Sequence, residues 1–284
     1  MISVSGNDRF DFLQGLVSND VRQLAEHRAV YAALLSPQGK FLHDFFLIKS
    51  GDVILIDSDK AQLPALLQRL AMYILRSKVM VEAMPQISVA AAWRIAESGN
   101  QGIGEQYFSD PRLPALGWRM VGTAAAIEKA CAAAGMEPSD EKACDRTRLN
   151  LGVPDGARDM IPGKSLLLEF GFEDLHGVDF AKGCYVGQEV TARSKHRGQV
   201  RRFIYRVRAA SGNLPPPGTP VTLEGAIAGE MRSSLDNVGL ALLRVEAVQK
   251  ADAGDMEFHC GHMALKASLP QWVTHPPKAL AVEG

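Results

Sequence analysis

The stretch KGCYVGQE at residues 182–189 places one thiol, Cys184, between two glycines, with a lysine before it and an amide and a carboxylate after it. Glycine lacks a Cβ atom, so the backbone here can turn tightly or approach a ligand closely. Many cations follow, and a positive field favours the reactive thiolate form of a cysteine. The commoner role of a lone cysteine is that of a small buried hydrophobe. The stretch by itself leaves both interpretations open.

The charge of the chain is uneven along its length. Residues 182–208 contain eight cations and one carboxylate, a charge of +7, whereas the 284-residue chain carries -1, which leaves -8 for the remainder. A basic patch on an acidic body indicates a local site for an anionic ligand, and a solvated charged strand edge gives the same pattern. The small net charge predicts no general attraction to nucleic acid or to a membrane.

Composition and cysteine spacing define the class of protein. With 46% hydrophobic and 22% charged residues, the chain is typical of soluble globular proteins of one large domain or two to three smaller ones. The four cysteines lie at 131, 144, 184 and 260, and no pair has the CxxC spacing of zinc or thioredoxin motifs. No secretory signal and no membrane-spanning run is recognisable, so we expect free thiols in a reducing cytoplasm.

The pattern of apolar residues predicts an α+β region followed by an all-β module. Helical spacing predicts helices at about 8–17, 59–77, 123–134 and 140–149. Strands are predicted at 1–5, 30–35, 41–48, 53–56, 79–84, 87–95 and 118–121. The Gly- and Pro-rich segment 98–116 reads as irregular. After Gly198 only short strands and no useful helix are expected, which favours a small barrel or sandwich.

Other candidate motifs are weaker. His259-Cys260-Gly261-His262 is the one metal-like cluster; on a strand, Cys260 and His262 would share a face, but two ligands do not make a site. Gly102-Ile103-Gly104 lacks the third glycine of a dinucleotide fingerprint. His43 and Asp44 are neighbours on a predicted strand, so they face opposite sides of its sheet. His176, His196 and Asp179 flank the cysteine stretch.

The cysteine stretch, continued by Val190-Thr191-Ala192-Arg193, resembles the signature of the YgfZ-type folate-binding proteins, which are relatives of the glycine-cleavage T-protein, an aminomethyltransferase. The preceding LHGVDF at 175–180 resembles the branch that contains mitochondrial iron–sulfur assembly factors. Further matches follow the family order along nearly the whole chain: FLQGL at 12–16 with Asn19-Asp20-Val21, LSPQGK at 35–40, DPRLP at 110–114, Arg148 with Gly152-Val153-Pro154, and GLALLR at 239–244.

This resemblance implies an α+β fold, a T-protein-like cloverleaf in which two α+β domains and a C-terminal small β-barrel surround a central folate site. The implied domains are a discontinuous first domain of 1–44 with 135–200, a second domain of 45–134, and a barrel of 201–284.

The resemblance also implies a function: a tetrahydrofolate-binding factor that assists assembly or repair of iron–sulfur clusters, of the [4Fe-4S] class, in client enzymes. Cys184 would supply the functional thiol and would be an iron–sulfur ligand for a transient cluster that is shared with a partner. That partner would be an assembly scaffold, a carrier or a client enzyme. The implied catalytic residues are Cys184, Asp44 and His43. The implied cofactor-binding residues are Arg112, Lys182, Tyr185, Gln188, Glu189, Arg193 and Arg197, with the glutamate tail of folate assigned to Arg112, Arg193 and Arg197.

Two positions depart from the family pattern. Where the T-protein has two adjacent aspartates, this chain has His43 and Asp44, and a neutral imidazole gives no fixed negative charge beside a developing cation. Asn150 stands where relatives often have glutamate. The change at Asn150 leaves no carboxylate to which a role could be assigned there. The change at His43 weakens the alternative function, a tetrahydrofolate-dependent aminomethyl or one-carbon transferase. RNA binding through the basic run is a third alternative, disfavoured because no platform of stacking aromatics accompanies it.

Overall fold

The computed structural model describes residues 1–93, 106–198 and 200–278, except for the side chain of Arg197. The Gly102-Ile103-Gly104 run lies outside these residues. The chain divides into two compact units: Met1–Pro37, Leu42–Ser139 and Leu175–Gln188 form the first, and Gln38–Phe41, Asp140–Asp174 and Glu189–Gly284 form the second. The three-domain division given above stays a prediction.

The described residues of the first unit contain three α-helices and two sheets. Its helices are α1 (Arg9–Gln14), α2 (Leu63–Tyr73) and α3 (Ala124–Ala133). Its strands are β1 (Ile2–Ser5), β2 (Val30–Leu35), β3 (Phe41–Ser50), β4 (Val53–Asp57), β5 (Met80–Ala83), β6 (Ser88–Ala92), β7 (Gln106–Ser109) and β8 (Trp118–Gly122). A five-stranded sheet has the order β2-β3-β4-β1-β5, and a smaller sheet has the order β6-β8-β7.

Strand alternation builds a layered core in this unit. On β4, Ile54 and Ile56 pack with α1 and α2, whereas Leu55 between them packs with Phe108 of β7 and Val121 of β8. Successive side chains of a strand face opposite sides, so α1 and α2 cover one face of the large sheet and the small sheet covers the other. The outer face of the small sheet packs on α3.

Most predicted elements of this unit are present, with shifted ends. Thr123 caps α3 as expected, its side chain accepting from the Ala126 amide. Asp8 precedes α1 but makes no side-chain cap bond; its carboxylate accepts from the Lys78 amide instead. The prediction that 98–116 is wholly irregular was wrong, because β7 pairs there with β8.

The described residues of the second unit form a barrel and four α-helices, although Gln188, the first residue of α6, belongs to the first unit. The helices are α4 (Glu141–Leu151), α5 (Gly156–Asp159), α6 (Gln188–Arg197) and α7 (Val245–Gly254). The strands are β9 (Arg202–Arg208), β10 (Pro220–Leu223), β11 (Ala226–Leu235), β12 (Val238–Arg244), β13 (Phe258–Cys260) and β14 (Met263–Ser268). They close into a barrel of order β10-β11-β12-β9-β14-β13, which confirms the predicted barrel.

Two features of the barrel region differ from the sequence prediction. Helix α7 was missed, although Val245, Val248 and Ala251 bury one side of it. Residues 259–262, considered above as part of one strand, lie in a hairpin that turns at Gly261, where φ is +60°. His262 therefore lies in the turn, and the expected shared strand face for Cys260 and His262 does not form. No helix among the described residues is long and apolar enough to cross a bilayer.

Candidate functional site

Cys184 is an exposed free thiol on the segment that leads into α6, and Cys260 is a buried one. Exposure decides between the two interpretations of Cys184, because a small buried hydrophobe would lie in a core. Residues 179–188, called the thiol loop below, determine how this side chain is presented.

Lys182 fixes the thiol loop to the end of α1. Its ammonium Nζ donates to the carbonyl oxygens of Gln14, Val17 and Asn19 at 2.9, 2.6 and 2.7 Å. It also lies 5.0 Å from the ring centre of Tyr185. An ammonium group has three N–H donors, so these carbonyls use all of them. Burial lowers the pKa of Lys182 to about 8, although nearby carboxylates oppose the shift.

Other bonds set the path of the loop on both sides of the thiol. The carboxylate of Asp179 accepts from the amides of Ala181 and Lys182 at 2.7 and 3.1 Å. The Val186 amide donates to the Gly15 carbonyl at 3.1 Å. At Gly187 φ is +82°, a conformation that favours glycine. The loop is therefore held by its backbone, and these bonds leave the thiol itself exposed.

The segment before the thiol loop is tied to the large sheet by two buried polar side chains. Ser18 donates to the Gly177 carbonyl at 2.6 Å. The Asn19 amide group donates to the carbonyls of His176 and Tyr31 at 2.6 and 2.7 Å. Because Tyr31 is on β2, Asn19 joins the approach to the loop to the edge of the five-stranded sheet. Both side chains are buried, where such bonds count most.

Two arginines form a second polar site, called the arginine cluster below. It consists of Asp57, Asp110, Arg112 and Arg119 together with the rings of Tyr31 and Phe46. Arg112 donates Nε and Nη2 to the two oxygens of Asp110 at 3.0 and 2.8 Å. The guanidinium carbons of Arg112 and Arg119 lie 4.9 and 4.1 Å from the ring centre of Phe46.

Interactions within the arginine cluster favour the charged forms of Asp110 and Arg112. Burial by itself would raise the pKa of Asp110, but the two guanidinium groups hold it below its ordinary value. Burial likewise opposes the charge of Arg112, yet Asp110 raises the pKa of that arginine above its usual range. Arg119 also pairs with Asp57, and its buried Nε has no hydrogen-bond partner among the described residues. The cluster is thus a compact ion-pair network of two buried carboxylates and two largely buried arginines.

His43 and Asp44 point to opposite faces of β3, as strand geometry predicts. His43 is buried, and its Nδ1 lies 3.0 Å from Oε1 of Gln62, beside α2. Burial lowers the pKa of His43, so the imidazole is neutral at neutral pH. The Tyr31 hydroxyl donates to Asp44 at 2.7 Å, which places this carboxylate at the arginine cluster. The structure thus brings Asp44 and Arg112 together and places His43 on the other face.

Cations between residues 182 and 208, the basic run of the sequence, pair with separate residues close to each of them. Arg193 pairs with Glu189 within α6, Lys195 pairs with Glu173, and Arg202 pairs with Glu169. Arg206 and Arg208 donate to the backbone and side chain of Asn150. The side chain of Arg197 lies outside the described residues. This dispersal disfavours a continuous anion-binding stripe.

The remaining predicted ligands serve the fold or lie apart. Tyr185 is buried, and its amide donates to the side chain of Gln188 at 3.3 Å. His259 and Cys260 lie on β13 of the barrel. Within the described ranges, no group of three or more His, Cys, Asp and Glu side chains is placed to hold a metal ion.

The sequence interpretation gave no role to Asn19, Tyr31, Asp110 and Arg119. Asn19 and Asp110 lie within motifs that carried the family resemblance, which was a signal that they matter. Their partners are distant in the chain, so no spacing rule points to the contacts they make.

Comparisons with known proteins place these features in context. Residues 201–275 match the family model of the C-terminal β-barrel domain of CAF17. The chain is 34% identical to the iron-sulfur cluster assembly factor IBA57 homolog, mitochondrial, of Mycosarcoma maydis, covering 95% of this chain and 78% of that protein. It is 32% identical to the human iron-sulfur cluster assembly factor IBA57, mitochondrial, covering 96% and 82%.

Among solved structures, the fold is similar to that of the glycine cleavage system aminomethyltransferase T from Bartonella henselae. The TM-score is 0.73 at 18% identity, covering 96% of this chain and 84% of that one. The similarity confirms the predicted T-protein-like fold. At this level of identity it shows the fold alone.

The comparisons contradict one expectation. The relatives named here are described as mitochondrial, so the expectation of a cytoplasmic protein was wrong. It rested on free cysteines and on the lack of a recognisable signal, and a reducing environment is not particular to one compartment.

Proposed function

The chain belongs to the family of the iron–sulfur cluster assembly factor IBA57, and we propose that it assists the assembly or repair of iron–sulfur clusters in client enzymes. The motif resemblance to YgfZ-type proteins was close to this family without being the same. We propose the [4Fe-4S] class of cluster as the cargo and Cys184 as the residue that contacts it.

The observation that carries this proposal is an exposed thiol on a loop whose backbone is fixed. A thiolate is a preferred ligand of iron in clusters, and binding of iron displaces the thiol proton. Because Lys182 and Asp179 fix the backbone on one side of Cys184 and Val186 fixes it on the other, the sulfur can meet a cluster without a large ordering cost.

A single cysteine cannot hold a cluster by itself. Cluster ligation takes several thiolates, and the described residues contain no group of three or more His, Cys, Asp and Glu side chains placed to hold a metal. The other ligands must come from a partner, which we propose to be an assembly scaffold, a carrier or the client enzyme. In this arrangement Cys184 contributes one ligand to a transiently shared cluster.

Tetrahydrofolate is the second part of the proposal, and the structure narrows which residues fit it. Arg112 does not fit a contact with the glutamate tail, because its side chain is largely buried and its guanidinium is bonded to both oxygens of Asp110. Lys182 uses its donors on backbone carbonyls. Arg193 fits, because it is exposed and its pairing with Glu189 is between neighbouring helix turns, which is a weak interaction. When bound, tetrahydrofolate would supply a carrier for one-carbon groups.

The decisive test compares two cysteine variants in a null strain. We expect Cys184→Ala to fold normally and to lose at least about tenfold of the restored [4Fe-4S] enzyme activity, because the cluster ligand is gone. The half-buried Cys131 of α3 provides the matched control, and Cys131→Ala should complement fully. Full complementation by Cys184→Ala would contradict the proposal.

Folate binding is tested separately by titration. Purified wild-type protein should bind tetrahydrofolate, and Arg193→Gln should bind it more weakly with no change in thermal unfolding. The folate-bound protein also tests the alternative function, a one-carbon transferase. This alternative stays in consideration because the carboxylate of Asp44 lies at the arginine cluster. Turnover of a methylene or methyl group that Asp44→Asn abolishes would favour the transferase, whereas binding without turnover supports the assembly role.

A further inference from the structure

The start of the thiol loop is shaped by one carboxylate. Residues 179–187, all of which the structure describes, belong to no helix or strand. Oδ1 of Asp179 accepts from both the Ala181 and the Lys182 amides, at 2.7 and 3.1 Å. Cys184 follows two residues later. The side chain that fixes Asp179 therefore also fixes the backbone that leads to the thiol.

Gln23 bonds to the other oxygen of this carboxylate. Its Nε2 donates to Oδ2 of Asp179 at 2.9 Å, across 156 residues of sequence. Its Oε1 accepts from Nη2 of Arg28 at 3.1 Å. The three side chains, Arg28, Gln23 and Asp179, are called the glutamine bridge below. Through it, a residue near the N-terminal end of the chain restrains the approach to Cys184.

The glutamine bridge has one chemically allowed direction. A guanidinium group only donates hydrogen bonds, and an ionised carboxylate only accepts them. A side-chain amide has one donor end and one acceptor end, so its nitrogen must face Asp179 and its oxygen must face Arg28. The opposite orientation of the Gln23 amide would bring two donors together at one end and two acceptors together at the other.

The bridge starts from anchored backbone. Gln23 ends a 3₁₀ turn, Val21–Gln23, and the side chains of Val21 and Leu24 are buried in the core of the first unit. Backbone bonds in both directions between Ala25 and Arg28, at 3.3 and 3.1 Å, return Arg28 to the side of Gln23. The amide of Gln23 is thus presented to Asp179 from a fixed position.

Neighbouring charged groups are bonded elsewhere. The Lys182 ammonium is close enough for Asp179 and Asp20 to oppose the lowering of its pKa, but its three donors are used on backbone carbonyls. The carboxylate of Asp20 accepts from the side chain of Gln14. The group that bonds to Oδ2 of Asp179 is the amide of Gln23.

We propose that Gln23 is a positioning residue for Cys184, which acts through Asp179 to fix the place where the sulfur meets its partner. This inference rests on the proposed function, in which that sulfur contacts a cluster. Side chains that orient a metal ligand without touching the metal typically change affinity or activity tenfold or more when they are replaced. Arg28 is exposed, so its contribution is smaller.

Two isosteric substitutions disrupt the bridge singly and restore it together. Gln23→Glu sets a carboxylate against that of Asp179. Asp179→Asn sets an amide donor against Nε2 of Gln23, and turning either amide moves the mismatch to Arg28 or to the loop amides. In the double variant the new carboxylate accepts from Arg28 and from the new amide, whose oxygen still accepts from the loop amides. Every contact is then satisfied, with the charge moved to the other residue.

Hydrogen exchange measures the effect on the loop directly. The Ala181 and Lys182 amides should exchange about tenfold faster in each single variant, because a hydrogen bond to a charged group is lost. In the double variant both amides should return to the wild-type rate. Gln86→Glu is the matched control, because Gln86 is exposed and its amide contacts only the sulfur of Met84, at 3.9 Å. This control should exchange like the wild type.

Complementation in the null strain measures the effect on function. The restored [4Fe-4S] enzyme activity, divided by the amount of soluble protein, should fall about tenfold in each single variant. It should recover in the double variant and stay unchanged in Gln86→Glu. Recovery at a constant amount of protein separates positioning of the thiol from a loss of folded chain.

Three results would overturn the inference. The first is unchanged exchange of the Ala181 and Lys182 amides in both single variants, and the second is a double variant that recovers neither property. The third is normal complementation by the single variants in a strain where Cys184→Ala fails. Full complementation by Cys184→Ala would instead contradict the proposed function, and the exchange rates would still decide whether Gln23 holds the loop.

Discussion

The thiol loop and the arginine cluster use charged residues in opposite ways. In the thiol loop, the half-buried Lys182 bonds to backbone carbonyls, and Cys184 is exposed. In the arginine cluster, Arg112 and Arg119 are bonded to Asp110 and Asp57 and stacked on Phe46. Both regions carry family-like motifs. Of the two regions, the thiol loop is the one that leaves a thiol exposed.

The difference teaches how cations should be interpreted in this protein. An arginine suits an anionic ligand when its donors are available, and a buried arginine paired with a carboxylate has already met that need. Arg112 is of the second kind. Lys182 is a positioning residue, because it acts on the thiol through the backbone it holds.

Among the variants that test this comparison, we expect Asp110→Asn to have the largest effect on the free energy of unfolding. If the arginine cluster is structural, loss of the Asp110 carboxylate leaves the largely buried guanidinium of Arg112 without its ion-pair partner, while Arg119 still pairs with Asp57. We expect this to cost about 3 kcal/mol. Denaturant unfolding measures this. Asp52→Asn is the control, because Asp52 is fully exposed and 4.0 Å from Arg9, and we expect a change within about 0.5 kcal/mol. Equal effects of the two variants would mean that the cluster is open to a ligand.

Lys182→Met should have a smaller effect on stability and a local effect on the loop. The loss of charged hydrogen bonds to three carbonyls costs about 1.5–3 kcal/mol. Hydrogen exchange of the Val186 amide should become faster, and complementation should fall although Cys184 is still present. Lys164→Met is the control, because Lys164 is exposed on the surface of the second unit. Unchanged exchange at Val186 would show that the loop is rigid without the lysine.

The smallest expected effect is the pH dependence that His43 contributes. Its pKa is lowered by burial from 6.5, so the unfolded chain binds a proton first as the pH falls. Stability from this residue is therefore complete above about pH 6.5 and is lost below it. The unfolding free energy of wild type should fall more steeply with acidification than that of His43→Gln. The exposed His259 is the control, and a His259→Gln curve that differs from wild type in the same way would contradict this assignment.

Local rules predicted much of the fold. The apolar run at 53–56 predicted a strand, and β4 lies there with Ile54 and Ile56 buried. Thr123 and Asp140 marked the starts of α3 and α4, and each caps its helix. Helix α6 was missed because the charges after Gly187 were interpreted as a ligand surface, although most of them are good helix formers.

The candidate site was predictable in part. The glycines and the lysine around Cys184 indicated a constrained thiol. The exposure of Cys184, which distinguishes a functional thiol from a buried hydrophobe, could not be predicted from residues 182–189. In the arginine cluster, the bond between Asp110 and Arg112 joins residues two apart and is accessible to local reasoning. The stacking of Arg119 on Phe46 joins two separate sheets.

The sequence by itself determined the family resemblance, the α+β and barrel classes, and the identity of the thiol, because these depend on motifs and on the periodicity that backbone geometry imposes. The tertiary structure decided what each charged residue does. Lys182 bonds to carbonyls more than 160 residues earlier in the chain, and Arg119 pairs with Asp57, 62 residues before it. No local rule predicts such contacts, because they form only when distant segments pack on a common core.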